Sequence, residues 1–232
     1  MILDLQGTQL YIEESGQGTT LLLIHGFPFN HEMWRPQIED LSTTARIITP
    51  DLRGHGGSPP SEITSTMDLL ADDCAKVLDA LGIAQPVTVC GLSMGGYVAF
   101  AFYRRHASRV AGLILTATRA NADPPEVKTN RDKSAELAKK SGVQAVTANM
   151  LPILMSPKTY QTKPELVNRV KRIMDQTSTQ GMVSALMGMK ERPNSTPTLA
   201  SINLPTLIIH GEDDQIIPLH EAQAMHLSLI HI

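Results

Sequence analysis

The feature of this 232-residue sequence that most constrains its fold is a serine between glycines, in the segment GLSMGG at 91–96. The segment follows directly on the apolar run VTVC at 87–90 and precedes a helical pattern. A G-x-S-x-G sequence is weak evidence alone, but between a strand and a helix it is typical of a sharp turn that carries a nucleophilic serine. The glycines on either side leave room where the two backbones approach. Ser93 is therefore predicted to be a nucleophile that stands clear of a sheet.

Apolar runs alternate with helical patterns along most of the chain. Strands are predicted at 9–14, 20–24, 46–49, 87–90, 110–116 and 206–210, and helices at 33–41, 68–81 and 98–106. Continuous apolar strands separated by helices indicate an α/β fold with a parallel sheet covered on both faces. The alternation breaks between about 119 and 204, where helical segments such as 165–175 are punctuated by prolines. We therefore expect a core formed by 1–118 and 205–232, with a helical lobe inserted at 119–204.

Composition and charge argue against several classes of partner. Twenty basic residues against 23 acidic ones give a formal net charge of −3, without a basic block, which disfavours nucleic acid and anionic membranes. No run approaches the roughly 18 apolar residues of a membrane span, and residues 1–10 lack the features of a secretory signal. Cys74 and Cys90 are predicted to be buried free thiols. The sequence predicts a soluble cytoplasmic protein with neither nucleic acid nor membrane as a partner.

A second motif, LLIHGFP at 22–28, follows another predicted strand. A serine that attacks an ester creates an oxyanion, which requires two N–H donors placed in advance. The backbone N–H of Met94, at the start of a helix, is predicted to supply one donor, and that of Phe27 the other, because Gly26 lets the loop come close. His25 belongs to the same turn and is predicted to hold the loop by hydrogen bonds.

With two further motifs, the sequence resembles the α/β-hydrolase superfamily, in particular its small serine esterases and enol-lactonase-like enzymes with a helical cap. The segment DLRGHGGS at 51–58 is similar to the D-x-R-G-x-G-x-S loop of that branch, and HGEDD at 210–214 resembles its H-G-x-x-D acid turn. The resemblance covers nearly the whole chain. It implies an α/β-hydrolase fold, a mostly parallel sheet flanked by helices, with 119–204 as the cap. It also places the acid of a catalytic triad at Asp214, with Asp213 as the neighbouring alternative.

The loop at 51–58 is predicted to be structural. Asp51 and Arg53 are expected to tie the turn together, while Gly54, Gly56 and Gly57 supply positive φ angles. We assign no chemistry to this loop.

The resemblance fails at the general base. In this fold the histidine follows the acid, on a loop beyond the last strand. After Asp214, however, the sequence offers a predicted helix at 218–226 and then LSLIHI at 227–232, at most a strand. His220 in that helix is predicted to face solvent. The base is therefore not at its expected place.

Three alternatives remain open for the base. The chain is a shortened form that lacks it, or His231, with His226 as the weaker candidate, reaches Ser93 through a rearranged tail. Alternatively, a second subunit supplies a histidine or completes the sheet edge. A sheet edge left unpaired would itself favour a homodimer.

These observations predict a serine hydrolase of small carboxylic esters or lactones that works through an acyl-enzyme and needs no cofactor or metal. An enol-lactonase or a cofactor-free perhydrolase would use the same site. Serine in place of aspartate at position 93 argues against a dehalogenase. A different class, a binding protein on a hydrolase scaffold, is supported by the absence of the base.

Overall fold

The computed structural model describes residues 1–229. Within this range the chain forms a seven-stranded sheet with the order β1-β2-β4-β3-β5-β6-β7. Its strands are β1 (Ile2–Asp4), β2 (Gln9–Ser15), β3 (Thr19–Ile24), β4 (Ala45–Pro50), β5 (Val87–Leu92), β6 (Val110–Thr116) and β7 (Thr206–Ile209). The pairs β1–β2 and β2–β4 are antiparallel, and all pairs from β4 to β7 are parallel. The predicted mostly parallel sheet is confirmed, with β1 as an additional edge strand.

Helices cover both faces of this sheet. Those within residues 1–229 are α1 (Arg35–Leu41), α2 (Met67–Ala80), α3 (Met94–His106), α4 (Pro125–Ser141), α5 (Val143–Leu154), α6 (Pro157–Thr162), α7 (Pro164–Asp175), α8 (Thr179–Lys190), α9 (Thr196–Leu199) and α10 (Leu219–Ser228). Within residues 1–229, none of the helices has the length and apolar composition of a membrane span.

The strands are continuous apolar runs because each of their two faces meets a helical layer. In β3, Leu22 packs in the larger core with residues of α2 and α3, whereas the next residue, Leu23, packs with Trp34 and Ile38 on the side of α1. Successive strand residues point to opposite faces, so the two apolar clusters lie on opposite sides of the sheet.

Six helices, α4 to α9, lie between β6 and β7, and we call residues 125–199 the helical segment. Ala135 of α4 and Met182 of α8 belong to the larger core, so the segment shares apolar packing with the sheet. A Cβ added at Gly181 would overlap the backbone of Gly54, which shows how closely α8 approaches the loop at 51–58. The assignment of 119–204 as a cap domain stays a prediction.

The last strand and helix end differently from the prediction. Helix α10 continues through Leu227 and Ser228, which were expected to begin a strand at 227–232, and the Ser228 hydroxyl donates to the carbonyl of Ala224 at 2.7 Å. In the described part of the chain, β7 pairs only with β6. Leu207 and Ile209 on its outer face are 52% and 48% exposed. His231 lies outside the described residues.

Candidate active site

Ser93 occupies a strained turn between β5 and α3. Its φ of 53° and ψ of −110° are rare for a residue with a side chain, and such a conformation costs roughly 1–3 kcal/mol. Hydrogen bonds to β6 and the residues after it hold the turn. The Ser93 N–H donates to the carbonyl of Thr116, and the Thr118 hydroxyl donates to the carbonyl of Ser93, each at 2.9 Å. The surrounding structure therefore fixes this serine in its turn.

The neighbouring glycines are required by close contacts between backbones. A Cβ at Gly91 would overlap the backbone of Gly95, and one at Gly95 would overlap the carbonyl of Ile24 at the end of β3. A Cβ at Gly96 would collide with the side chain of Thr118. The steric reason predicted for the small residues around the serine is confirmed.

Ser93 lies on the wall of a cavity of about 1000 Å³. Phe27, Asp213 and Asp214 line the same cavity, so three separate motifs of the sequence meet there. Much of the remaining wall is apolar and comes from the helical segment, through Met150, Pro152, Ile153, Leu154, Met155, Leu166, Val170, Ile173 and Met189. The cavity thus combines the serine predicted to be a nucleophile, acidic residues and a surface suited to small apolar groups.

The loop that carries Phe27 lies within van der Waals distance of the serine. A Cβ built on Gly26 would be 3.6 Å from the Cβ of Ser93. The amide N–H of Phe27 donates to no acceptor within residues 1–229. The N–H of Met94 is in the first turn of α3, where helical N–H groups have no partner inside the helix, and the helix dipole is positive at this end. Both amides that the sequence assigns to an oxyanion hole therefore border the turn of Ser93.

His25 supports this loop through both of its ring nitrogens. Nδ1 donates to the carbonyl of Gly26 at 2.9 Å, and Nε2 accepts from the N–H of Leu52 at 2.9 Å. Complete burial lowers the pKa of His25, which keeps the ring neutral. These contacts agree with the loop-supporting role predicted for this histidine.

Asp214 is held in a defined orientation by the turn after β7. Its Oδ1 accepts from the N–H groups of Ile216 and Ile217 at 2.8 and 2.9 Å. His210 approaches its Oδ2 at 3.7 Å, but the His210 Nε2 donates to the carbonyl of Ile217 at 2.6 Å. Asp213 is exposed, and its carbonyl accepts from the side chain of Gln215. Asp214 is thus the better oriented of the two carboxylates.

No histidine within residues 1–229 lines the cavity, and the Ser93 hydroxyl has no hydrogen-bond partner in that range. His220 and His226 lie exposed on α10. His231 is outside the described part of the chain. In residues 1–229, no cluster of three or more His, Cys, Asp or Glu side chains is arranged to hold a metal ion.

The loop at 51–58 is structural, but Asp51 and Arg53 act separately. The Asp51 carboxylate accepts from the N–H and Nδ1 of His31 at 2.6 and 2.8 Å and from the N–H of Gly57 at 2.8 Å. Arg53 instead forms two hydrogen bonds, at 2.5 and 2.8 Å, with Asp73 on α2. Asp51 therefore closes the turn, and Arg53 ties the turn to a helix.

One detail of that prediction is wrong. Gly54 and Gly56 have positive φ angles of 75° and 51°, as expected, but Gly57 does not. A Cβ at Gly57 would lie 2.9 Å from the side chain of Tyr11. This glycine is needed for space rather than for a backbone conformation.

Sequence reasoning missed Thr118, Tyr97 and Arg119. Tyr97 and Arg119 line the cavity, and Thr118 positions the carbonyl of Ser93. A positional signal could have found two of them, because Thr118 and Arg119 lie two and three residues after the end of β6. Ligand-binding residues gather at the carboxyl ends of parallel strands.

Comparison with known proteins agrees with this architecture. The family described as "alpha/beta hydrolase fold" matches residues 19–227. A solved thermophilic esterase from Thermogutta terrifontis, with malate bound, is 40% identical with a TM-score of 0.93, over 96% of this chain and 82% of that one.

Two relatives are similar at the level of sequence. The 3-oxoadipate enol-lactonase 1 of Acinetobacter baylyi (strain ATCC 33305 / BD413 / ADP1) is 29% identical over 97% of this chain and 83% of its own length. The non-heme haloperoxidase of Rhodococcus erythropolis is 28% identical over 97% of this chain and 85% of its own.

The chain belongs to the α/β-hydrolase family, in the branch that includes esterases and enol-lactonases. The resemblance found in the sequence is therefore confirmed, and with it the prediction of a hydrolase.

Proposed function

We propose that this protein hydrolyses small carboxylic esters through an acyl-enzyme on Ser93. The hydroxyl oxygen attacks the acyl carbon while its proton passes to a general base. The N–H groups of Phe27 and Met94 hold the oxyanion of the tetrahedral intermediate. The leaving alcohol takes the proton back, and water then releases the acid and regenerates the serine.

The observation that carries the proposal is the position of Ser93. Its strained turn faces the cavity, and the Phe27 loop and the N-terminus of α3 both border it. The similarity to the Thermogutta esterase, at 40% identity, supports ester substrates. In our proposal the helical segment acts as the cap that shapes the cavity.

Asp214 takes the role of the triad acid in this proposal. Its carboxylate lies on the cavity wall in a fixed orientation, where it would orient an imidazole and stabilise the imidazolium formed during attack. A histidine base predicts a rate that rises with pH to a plateau, with a midpoint near the ordinary histidine pKa of about 6.5. The variants His226→Ala and His231→Ala report which histidine of this chain sets that midpoint.

The test is covalent labelling followed by turnover. A fluorophosphonate should add one adduct mass to the wild-type chain and none to Ser93→Ala, and hydrolysis of 4-nitrophenyl acetate should fall by roughly 10³-fold or more in the variant. Ser108→Ala removes an exposed serine and should label like the wild type. Equal labelling of Ser93→Ala and the wild type contradicts the assignment.

The binding-protein alternative has a different outcome. Slow hydrolysis that is unchanged in Ser93→Ala, together with ligands that still raise the melting temperature, would favour a protein that binds without turnover.

A perhydrolase is a second candidate, because a haloperoxidase is among the relatives. In that reaction hydrogen peroxide replaces water and attacks the acyl-enzyme, which releases a peracid and free Ser93. Peracid formation from acetate and peroxide, absent in Ser93→Ala, would identify this activity.

An enol-lactonase would differ only in having the leaving alcohol on the acyl chain.

A further inference from the structure

The cavity that contains Ser93 also carries a cation that ester hydrolysis by itself does not use. Arg119 lines this cavity, and its side chain is 12% exposed. It directly follows Thr118, whose hydroxyl donates to the carbonyl of Ser93 at 2.9 Å. This short stretch after β6 is thus tied to the turn of Ser93, and both Arg119 and Ser93 line the same cavity.

The carboxylates around Arg119 are already engaged by other groups. Asp123 lies 2.8 Å from Nε of Arg131 and 2.7 Å from Nη1 of Arg192, but 4.0 Å from Arg119. Glu221 lies 3.7 Å from Arg119, and its other oxygen accepts from Asn121 at 3.0 Å. Three guanidinium groups therefore share two carboxylates, which leaves a local excess of positive charge.

Arg119 interacts with Tyr97 but forms no ion pair at hydrogen-bond distance. Its Nε is buried without a hydrogen-bond partner in residues 1–229, and both of its ion pairs are longer than a hydrogen bond. Removing a charged donor from water without giving it an acceptor is costly. The planar array of guanidinium donors matches the two oxygens of a carboxylate. An anionic group in the cavity would give the accessible part of this guanidinium an acceptor closer than either carboxylate.

The charges on the cavity wall are sorted by position. The three arginines of the wall, Arg119, Arg131 and Arg169, all lie in the chain between β6 and β7. The acidic residues come from elsewhere: Asp213 and Asp214 from the turn after β7, and Glu32 from the turn after β3. A substrate carboxylate would be repelled by the acidic residues and attracted to the arginines. The mostly apolar wall between them weakens competition from water.

We propose that Arg119 binds a free carboxylate of the substrate, so that the preferred esters are half-esters of short dicarboxylic acids. The ester carbonyl lies at Ser93 and the carboxylate at Arg119. The hydrolytic step rests on the function proposed above, but binding of the carboxylate does not.

The first experiment compares esters that differ by one charge. Methanol release is measured for monomethyl and dimethyl esters of malonic, succinic, glutaric and adipic acids, so that no chain length is assumed. At the best length, the wild type should show a kcat/KM at least 10-fold higher for the half-ester than for the diester. In Arg119→Gln this ratio should fall at least 10-fold, and Arg119→Lys should restore part of it.

Arg172→Gln is the matched control, because it removes an exposed arginine of α7 that does not line the cavity, with the same change of charge. Its ratio should stay within 2-fold of the wild type. An equal fall in both variants, or a wild type without preference for any half-ester, overturns the proposal. Circular dichroism checks that Arg119→Gln is folded. If the Arg119→Gln variant is unfolded, inhibition of the wild type by glutarate is compared with inhibition by uncharged glutaramide. Stronger inhibition by glutarate supports the proposal, and weaker inhibition overturns it.

The second experiment separates this subsite from the catalytic proposal. Calorimetric titration of Ser93→Ala with the dicarboxylate of the best length should show binding that weakens at least 10-fold when Arg119→Gln is added. Binding that depends on Arg119, in a wild type that hydrolyses no ester, would retain the subsite and reject the proposed function. Diester hydrolysis without dicarboxylate binding would reject the subsite and retain the proposed function.

Discussion

At the scale of single residues, the strained turn of Ser93 depends on the glycines that let two backbones meet. Gly95 tolerates a side chain least, because a Cβ there would overlap the backbone carbonyl of Ile24. A backbone carbonyl cannot move aside as a flexible side chain can. The geometry of the Ser93 turn and the stability of the core are therefore coupled at this position.

Gly95→Ala should lower both stability and activity. The overlap with Ile24 should cost about 1–3 kcal/mol of unfolding free energy, and hydrolysis should fall more than stability alone explains, because the turn of Ser93 must shift. Gly112→Ala is the control, since its Cβ would make only an ordinary contact of 3.4 Å. Urea unfolding and aryl-ester turnover measure both effects. Equal behaviour of the two variants would contradict the prediction.

A second residue-scale prediction concerns acid stability. Burial lowers the pKa of His55 from 6.5 to about 3, and its Nε2 has no hydrogen-bond partner in residues 1–229. Between these values the unfolded chain binds a proton that the folded chain does not. Above pH 6.5, protonation of His55 therefore does not affect the free energy of unfolding. As the pH falls from 6.5 towards 3, the free energy of unfolding decreases by about 1.4 kcal/mol per pH unit.

The measurement is the free energy of unfolding in urea at several pH values between 6 and 4.5. His55→Asn should reduce the slope of stability against pH by about 1.4 kcal/mol per unit. His220→Asn, which removes an exposed imidazole, is the matched control. A slope identical in wild type and His55→Asn would show that His55 takes up its proton in the folded state.

At the scale of elements, the outer strand β7 is the feature with the clearest consequence. Alternate residues Leu207 and Ile209 expose apolar side chains on one face, and within the described residues the strand pairs on one side only. Edge strands of this kind are templates for pairing with another chain. The homodimer through this edge therefore stays a prediction.

The molar mass in solution, measured by light scattering coupled to size-exclusion chromatography, tests the predicted homodimer. We expect the mass of two chains for the wild type and of one chain for Ile209→Lys, because a charge on the exposed face opposes edge-to-edge association. Ile63→Lys places the same charge at another residue with 55% exposure and should stay dimeric. A monomeric wild type would reject the edge as an interface.

At the scale of the whole molecule, the helical segment and the sheet share one apolar core. Ala135, Met182 and Leu186 of the segment cluster with Leu22 of β3 and Phe102 of α3. Separate unfolding of the segment would expose this shared surface. The two parts are therefore expected to unfold together.

Two spectroscopic signals can test this. Trp34, the single tryptophan, lies on the opposite face of the sheet, whereas far-UV circular dichroism reports on all helices, including the helical segment. Urea transitions followed by fluorescence and by circular dichroism should coincide in midpoint and slope. An earlier loss of helical signal would show that the helical segment unfolds by itself.

Prediction from the sequence succeeded where short-range sterics decide the outcome. The strands were identifiable because parallel strands buried on two faces must be continuously apolar, and the Ser93 turn because only glycine fits beside it. The support that His25 gives to its loop was also accessible, since the histidine and the loop are neighbours in the chain. Gly57 was misjudged because its constraint comes from Tyr11, which is distant in sequence.

What only the tertiary structure decided is the arrangement of charges. The partner of Arg53 is Asp73, and Asp123 is shared by arginines from separate elements. Arg119 lines the cavity of Ser93, and both of its ion pairs are longer than a hydrogen bond. Ion pairs form between side chains that folding brings together across long stretches of chain, and no local pattern encodes those pairings. The sequence by itself therefore determined the fold and the glycine-flanked turn of Ser93. The folded chain determined which charges line the cavity, because distance in space sets electrostatic interactions.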